Sequence, residues 1–156
     1  MVYIFDTNSF IVISHYFPER FPSFWKQIDE YVSDGKILSV REVFNELDNN
    51  SSKTHLVDWI KINKPIFMIP SQDEMNFVNT IFQVPHFQYL VSTKQRLKGN
   101  PVADPFVIAA AKVKNGCVVT EEDKKENAAR IPNICEHFNL DCTNVEGFMR
   151  RENWEF

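Results

Sequence analysis

The chain has 156 residues with 44% hydrophobic content and fourteen phenylalanines, which argues against intrinsic disorder and favours one domain with a buried core. Its net charge of −4 excludes a global basic field, so a nucleic-acid partner would have to be attracted by local basic patches or a bound metal. Three cysteines without a CxxC pair and four scattered histidines argue against a disulfide framework and a zinc site, and free buried thiols are expected.

The N-terminal residues predict a strand rather than a targeting segment. Residues 2–5 are apolar, and the polar cluster Asp6, Thr7, Asn8 and Ser9 follows directly. No apolar run of the chain approaches the length of a membrane span, so a cytoplasmic location is expected. Ligand sites of α/β proteins lie at the carboxyl ends of parallel strands, which makes this cluster the expected place for chemistry.

The next predicted elements are a helix at residues 23–34 and a strand at residues 37–39. Two glutamates follow this strand. Ser39 and Glu42 have the S-x-x-E form of a capping box, which gives Glu42 a structural role. Glu46 lies one turn further, at the border of the apolar stripe of the helix. The pattern alone favours a solvated surface residue at Glu46.

The middle of the chain predicts a helix at 54–63, a strand at 66–69 and a further helix that begins with a second capping box. A basic segment follows these elements. Residues 86–97 are compatible with a helix and lead into Lys94, Arg96 and Lys98. A run of charges is usually a solvated face, yet this run lies just before an acidic candidate residue. Both interpretations, a solvated face and a nucleic-acid contact, stay open.

The stretch 100–123 predicts a helix followed by a buried strand. Asp104 is suited to cap the helix, Pro105 to occupy its first position and Gly116 to end it in the left-handed conformation. Residues 117–120 then read as a strand buried on both faces. On this pattern Asp104 is more readily a helix cap than a ligand.

The rest of the chain continues the alternation of helices and strands. A helix is expected at 131–138, a strand at 140–142 and a last helix with Thr143 and Glu146 as its capping box. No repeat or linker interrupts the pattern. We therefore predict one α/β domain over residues 1–156, doubly wound, with a mainly parallel sheet.

Several acids are expected at one edge of that sheet. Asp6 ends the first strand, Asp104 opens a helix, and Glu121, Glu122 and Asp123 follow the fourth strand. Carboxylates that converge without histidine or cysteine favour a hard cation such as Mg²⁺ or Mn²⁺, which would also neutralise their mutual repulsion. The neighbouring Thr120 could orient a ligand through its hydroxyl.

Three stretches of the chain resemble a PIN-domain nuclease of the VapC-like toxin type. They are YIFDTNSF, SVREVFNEL, and VADPFVIAAAK with VVTEED. The resemblance implies a three-layer α/β/α fold and assigns metal-holding acids to Asp6, Glu46 and Asp104. The family commonly has T-x-D or T-x-N after the fourth strand, whereas this chain has Thr120 and Glu122 with Asp123 one residue on, so the fourth acid stays open between Glu122 and Asp123. Asn8 and Ser9 match positions where small polar residues line the metal pocket.

The resemblance also implies a function. The expected activity is hydrolysis of RNA phosphodiester bonds by an endoribonuclease that needs Mg²⁺ or Mn²⁺, with Asp6, Glu46, Asp104 and Glu122 as its catalytic acids. The toxin of a type II toxin-antitoxin module is the expected biological role, with a cognate antitoxin protein and a homodimer as expected assemblies. The candidates for contacts to the RNA backbone are the basic residues Arg41, Lys94, Arg96, Lys98, Lys124 and Lys125.

Two alternatives stay open beside that function. One is a PIN-like module that binds without catalysis. The other is a phosphatase with Asp6 as its nucleophile, because FDTN resembles the D-x-D opening of haloacid-dehalogenase-like phosphatases. Asn8 stands where that family needs its second aspartate, which makes the phosphatase the more distant alternative.

Overall fold

A five-stranded sheet with all its strands parallel forms the centre of the protein, in the order β3-β2-β1-β4-β5. The computed structural model describes residues 1–50, 53–90 and 102–156. The strands are β1 (Tyr3–Phe5), β2 (Ile37–Val40), β3 (Phe67–Met68), β4 (Cys117–Val119) and β5 (Asp141–Thr143). Tyr3 pairs with Ile37 on one side and with Cys117 on the other, so β1 and β4 lie in the interior of the sheet.

Helices connect the strands and flank the sheet. They are α1 (Thr7–Ile13), α2 (Pro22–Ser33), α3 (Arg41–Asn50), α4 (Thr54–Ile62), α5 (Gln72–Gln83), α6 (Asp104–Lys114), α7 (Ile131–His137) and α8 (Val145–Arg151), with 3-10 turns at Lys64–Ile66 and Pro85–Leu90. The predicted α/β class with a mainly parallel central sheet is confirmed, and the all-parallel sheet flanked by helices is consistent with a PIN-like domain.

The core is built around β1 and β4, whose side chains are buried along their whole length. Helix α6 lies close to the sheet because alanines 109–111 present a smooth, buried surface. Gly116 makes the entry into β4 possible, since a Cβ atom there would lie 2.6 Å from the carbonyl oxygen of Val2. The next amide, that of Cys117, donates to the same carbonyl at 2.8 Å.

Four predicted helix ends differ from the observed ones. Helix α6 is preceded by Ala103, so Asp104 is its first residue and not its cap, and Asn115 rather than Gly116 adopts the left-handed conformation at its end. Ser39 does not form a capping box, because its hydroxyl donates to the carbonyl of Phe5 at 2.6 Å. Helix α8 is capped by Asn144, which accepts from the amide of Gly147, and not by Thr143.

The predicted basic segment lies outside the described residues. Lys94, Arg96 and Lys98 lie outside the described residues, as does most of the helix considered at 86–97, whose first part is the 3-10 turn at Pro85–Leu90. Among the helices described in the three ranges, none has the length and apolar character needed to cross a membrane.

Candidate metal centre

The parallel sheet brings acidic side chains from four segments to the edge where its strands end. Asp6 follows β1 directly and its amide donates to the carbonyl of Val119, the last residue of β4. Glu122 lies in the loop after β4, Glu46 on α3 and Asp104 at the start of α6. Burial is the main reason that the pKa values of Asp6 and Asp104 are raised, and the charges of Glu122 and Glu46 add to the rise in both.

Asp6 is the most strongly enclosed of these acids. The residue is only 2% exposed, and its Oδ2 accepts a hydrogen bond from the hydroxyl of Thr120 at 3.0 Å. Its other oxygen, Oδ1, has no hydrogen-bond partner. Burial raises the pKa of Asp6 to about 7; the nearby Thr7 amide and the hydrogen bond from Thr120 oppose this rise, and the charges of Glu122 and Glu46 add to it. A buried carboxylate with a free oxygen and no neutralising partner costs stability.

Asp104 stands in the same environment. Burial raises its pKa well above the usual range, and the charge of Asp6 is the next largest cause. The carboxylate lies in the first turn of α6, where the free amides and the helix dipole favour negative charge. That favourable position does not offset the rise in the pKa of Asp104 that burial and three like charges cause.

Glu46 reaches the cluster from α3 and is held there by two neighbours. Its Oε2 accepts from the hydroxyl of Thr7 at 2.6 Å, and its Oε1 accepts from the amide of Ala103 at 3.2 Å. The first bond joins α3 to the start of α1, and the second joins it to the residue before Asp104. Glu46 is therefore a partly buried residue of the cluster and not the solvated surface residue that the apolar pattern favoured.

The loop after β4 places Glu122, and not Asp123, among the interacting acids. The amide of Glu122 donates to the hydroxyl of Thr120 at 3.2 Å, and its Oε2 accepts from the amide of Ile131 at 2.8 Å. Asp123 is exposed and is not among the charges that raise the pKa of Asp6 or Asp104. Thr120 thus contacts two of the acids, donating to Asp6 and accepting from Glu122.

The two small polar residues predicted to line the pocket have different positions. Ser9 is fully buried, and its hydroxyl donates to the carbonyl of Val119 at 2.9 Å, which fixes α1 against the end of β4. Asn8 is exposed on α1. Ser9 therefore holds α1 against β4, whereas the side chain of Asn8 is exposed to solvent.

The described basic candidates are exposed and engaged in part with acids. Arg41 makes a 2.8 Å ion pair with its buried neighbour Glu42, and Lys124 makes a 2.5 Å pair with Glu136 on α7. Lys125 is exposed in the same loop as Lys124. Both lysines follow Glu122 closely in the chain, so this loop carries positive charge next to the acids.

The oxygen-rich donor set fits a hard divalent cation in chemistry, although its side chains are not drawn together around one point. Within residues 1–50, 53–90 and 102–156, no group of three or more histidine, cysteine, aspartate or glutamate side chains is placed so that it could hold a metal ion. The Oδ1 atom of Asp6 is nevertheless a buried oxygen without a hydrogen-bond donor. A bound cation would coordinate such an oxygen. Four carboxylates without a counter-ion repel one another. Glu46 and Glu122 are also hydrogen-bonded to protein donors, which keep their carboxylates away from a common point.

Thr7 was predicted only as a member of the polar cluster after β1, without a role of its own, and the amide of Ala103 was not predicted as part of the site. Thr7 is the residue between Asp6 and Asn8 in the polar cluster, and its position at the start of α1 was the available signal. The bond from Ala103 could not be foreseen, because a backbone amide has no sequence signature.

Comparison with known proteins gives a structural neighbour and a family. No curated protein matches the chain. The solved structure of VapBC2 from Rickettsia felis bound to a DNA fragment from their promoter is similar with a TM-score of 0.51 and 17% identity, over 92% of this chain and 98% of that one. A family model with the description "Domain of unknown function (DUF4411)" matches residues 3–156. Because this match spans nearly the whole chain, the protein belongs to the family described as "Domain of unknown function (DUF4411)".

Proposed function

We propose that this protein is an endoribonuclease of the PIN type that depends on Mg²⁺ or Mn²⁺ and hydrolyses RNA phosphodiester bonds. The observation that carries the proposal is the pair Asp6 and Asp104, a buried and a partly buried carboxylate that both have raised pKa values, with an unpaired oxygen on Asp6. Strongly perturbed acids that gather at the strand ends of an α/β sheet are typical of functional sites.

Asp6 and Asp104 would hold the metal, with Glu46 and Glu122 as further ligands or as acceptors for its bound waters. The bound ion would supply a lowered pKa for a water molecule and positive charge for the phosphodiester group. Thr120 keeps one oxygen of Asp6 occupied and leaves the other free, so it orients the carboxylate. Thr7 and the amide of Ala103 orient Glu46 by donating to one of its oxygens each.

The substrate strand would be held by the exposed basic residues around this edge. Arg41, Lys124 and Lys125 belong to segments that follow β2 and β4, close in the chain to Glu46 and Glu122. Contacts from such residues go to phosphates and position a strand without reading its sequence. Lys94, Arg96 and Lys98, which precede Asp104 in the chain, are proposed for the same role.

We further propose that the protein acts in the cytoplasm as the toxin of a type II toxin-antitoxin module. The fold likeness to VapBC2 agrees with the resemblance to toxin-type PIN domains. A cognate antitoxin would cover the acidic cluster and could place an arginine or lysine among Asp6, Asp104, Glu46 and Glu122, where a cation would relieve their repulsion. A homodimer is the proposed assembly of the toxin itself.

Cleavage of single-stranded RNA by the wild type and by Asp104→Asn tests the activity. We expect Mn²⁺-dependent cleavage by the wild type and a loss of about 100-fold or more in the variant, since it removes charge where the metal acts. The matched control is Asp73→Asn, because Asp73 also lies in the first turn of a helix but is exposed, and its variant should keep full activity. Equal cleavage by the wild type and Asp104→Asn would refute the role of Asp104.

A second candidate function is a PIN-like module that binds a partner without catalysis. The observation in its favour is that, in the described part of the chain, no three ligand-type side chains are placed to hold a metal. Calorimetric titration with Mn²⁺ separates the two functions. Binding that disappears in Asp6→Asn supports the nuclease, whereas the absence of binding together with the absence of cleavage supports the silent module.

A further inference from the structure

A cleft with aromatic walls lies between α7, the loop after β4 and the 3-10 turn Pro85–Leu90. Its volume is about 530 Å³, which falls in the range of about 300–1,000 Å³ that is usual for ligand sites. The side chains used in the argument below are His86, Phe87, Lys124, Asn133, Glu136 and His137. We call this the aromatic cleft.

Ring contacts between the turn and α7 hold the aromatic wall in place. The ring of Phe87 meets the ring of His137 at 88°, with the centroids 5.0 Å apart, and its centroid lies 6.1 Å from that of Phe138. Phe87 is only 5% exposed, so it anchors the turn to the end of α7. His86 and His137 are exposed, and both line the cleft, so solvent reaches their imidazole rings there.

The polar wall of the cleft is fixed by hydrogen bonds between α7 and the loop after β4. The side-chain oxygen of Asn133 accepts from the amide of Lys125 at 3.3 Å, and its nitrogen donates to the carbonyl of the same residue at 2.7 Å. The neighbouring Lys124 forms its ion pair with Glu136 on α7. A wall that is already ordered loses less conformational entropy when a ligand binds.

The aromatic cleft adjoins the acids of the candidate metal centre. Lys124 and Glu136 also line a second cleft, of about 630 Å³, whose walls include Thr120 and Glu122. Thr120 donates to Asp6 at 3.0 Å, so the second cleft reaches the acidic cluster. The two clefts thus meet at the pair of Lys124 and Glu136, and a nucleic-acid strand with one phosphate at the acids would pass this pair to reach the aromatic wall.

We propose that the aromatic cleft binds one unpaired base of single-stranded RNA beside the phosphate that is cleaved, an inference that rests on the nuclease function proposed above. His86 and His137 would stack on the base, and Lys124 would exchange Glu136 for the adjoining phosphate. Stacking on aromatic side chains tolerates every base, but it requires a base that is splayed out of a duplex. The cleft would therefore select single strands without reading their sequence.

Binding of RNA without divalent metal tests the cleft separately from cleavage. Fluorescence anisotropy in EDTA compares a labelled strand of eight adenosines with a labelled abasic strand of the same length. The wild type should bind the adenosine strand about 10-fold more tightly, and His137→Ala should lose most of this preference. Its affinity for the abasic strand should not change, because that affinity comes from phosphate contacts. The matched control is His15→Ala, since His15 is exposed and lines neither cleft.

Two further variants guard against a structural effect at His137, whose ring packs against Phe87. His137→Phe keeps an aromatic ring and should keep the preference for adenosine. His86→Ala removes the other exposed imidazole and should weaken the preference without disturbing the anchor at Phe87. Glu136→Gln should tighten the binding of both strands, because it releases Lys124 and removes a charge that repels phosphate.

Cleavage kinetics give an independent readout of positioning. His137→Ala should raise KM about 10-fold and leave kcat within about 2-fold of the wild type, because the stacked base is remote from the reacting phosphate. A base preference in a wild type that cleaves no RNA would support the cleft and refute the nuclease. Metal-dependent cleavage by a wild type that binds both strands equally, or a preference that survives in both alanine variants, would overturn the cleft alone. In that case the aromatic wall is left as a surface for a protein partner.

Discussion

Glu74 and Asp6 are both acids in residues only 2% exposed, yet their surroundings differ. Glu74 forms a 2.5 Å ion pair with Lys114 and completes a capping box with Ser71 at the start of α5, so both of its oxygens have partners. Asp6 has one unpaired oxygen, and among the described residues it makes no ion pair with a basic side chain. The acids around it make its ionised form still less stable.

Helix α6 takes part in both arrangements. Its last residue, Lys114, neutralises Glu74, and its first residue, Asp104, adds a like charge next to Asp6. The fold therefore pairs one buried acid with a cation, since Glu74 on α5 contacts Lys114 on α6. The cluster at Asp6 and Asp104 lacks such a partner, which is the condition expected of a site that binds a cation from outside.

The pH dependence of stability should show the largest effect of this difference. The folded-state pKa of Asp6 is about 7 against a usual 3.8, so the folded protein binds the proton more tightly than the unfolded chain. The stabilisation that comes from protonated Asp6 is fully present below about pH 4 and is lost as pH rises through about 7, which lowers the free energy of unfolding by about 4 kcal/mol. Urea denaturation of the metal-free protein at several pH values measures this, and Asp6→Asn should flatten the profile. Identical profiles for the wild type and the variant would contradict it.

Breaking the compensated pair should have the next largest effect. Lys114→Met leaves Glu74 buried without its cation, and we expect a loss of about 2 kcal/mol in the free energy of unfolding because Lys114 is partly exposed. Lys61→Met is the matched control, since Lys61 forms a longer and exposed pair with Asp48 and its loss should cost less than about 0.5 kcal/mol. Equal effects of the two substitutions in urea denaturation would show that burial does not distinguish these pairs.

The smallest of these effects is expected at Thr7. Thr7→Val removes the hydroxyl that donates to Glu46 at 2.6 Å while keeping the shape of the side chain, and should destabilise the fold by about 1 kcal/mol. Thr80→Val is the control on α5, because Thr80 is exposed and bonds only to the carbonyl of Asn76 in its own helix. A thermal unfolding midpoint for Thr7→Val no lower than that of Thr80→Val would rule out a contribution of this bond.

The strand ends could be predicted from the sequence because they depend on local pattern. The apolar run before Asp6 and the paired valines before Thr120 each predict a buried strand that ends at a polar residue, and the parallel sheet does the rest. The resemblance to PIN domains added Glu46, whose helical position on α3 alone indicated a surface residue. The structure brings Glu46 into contact with Thr7 and Ala103.

Helix caps were predicted less well because tertiary partners compete for the same side chains. The capping box of Ser71 and Glu74 forms as expected. Ser39 has the same S-x-x-E spacing, but the carbonyl of Phe5 on the neighbouring strand takes its hydroxyl and Arg41 pairs with Glu42. The choice between Glu122 and Asp123 likewise depends on the amide of Ile131, nine residues further along the chain.

A crystal soaked with Mn²⁺ tests most directly whether Asp6 and Asp104 form a metal centre. We expect an anomalous peak with oxygens of both carboxylates at about 2.0–2.3 Å, including the unpaired Oδ1 of Asp6. The peak should vanish in Asp104→Asn and persist in Asp73→Asn. The absence of a peak in the wild type, or a peak that contacts Asp123 but neither Asp6 nor Asp104, would contradict the account.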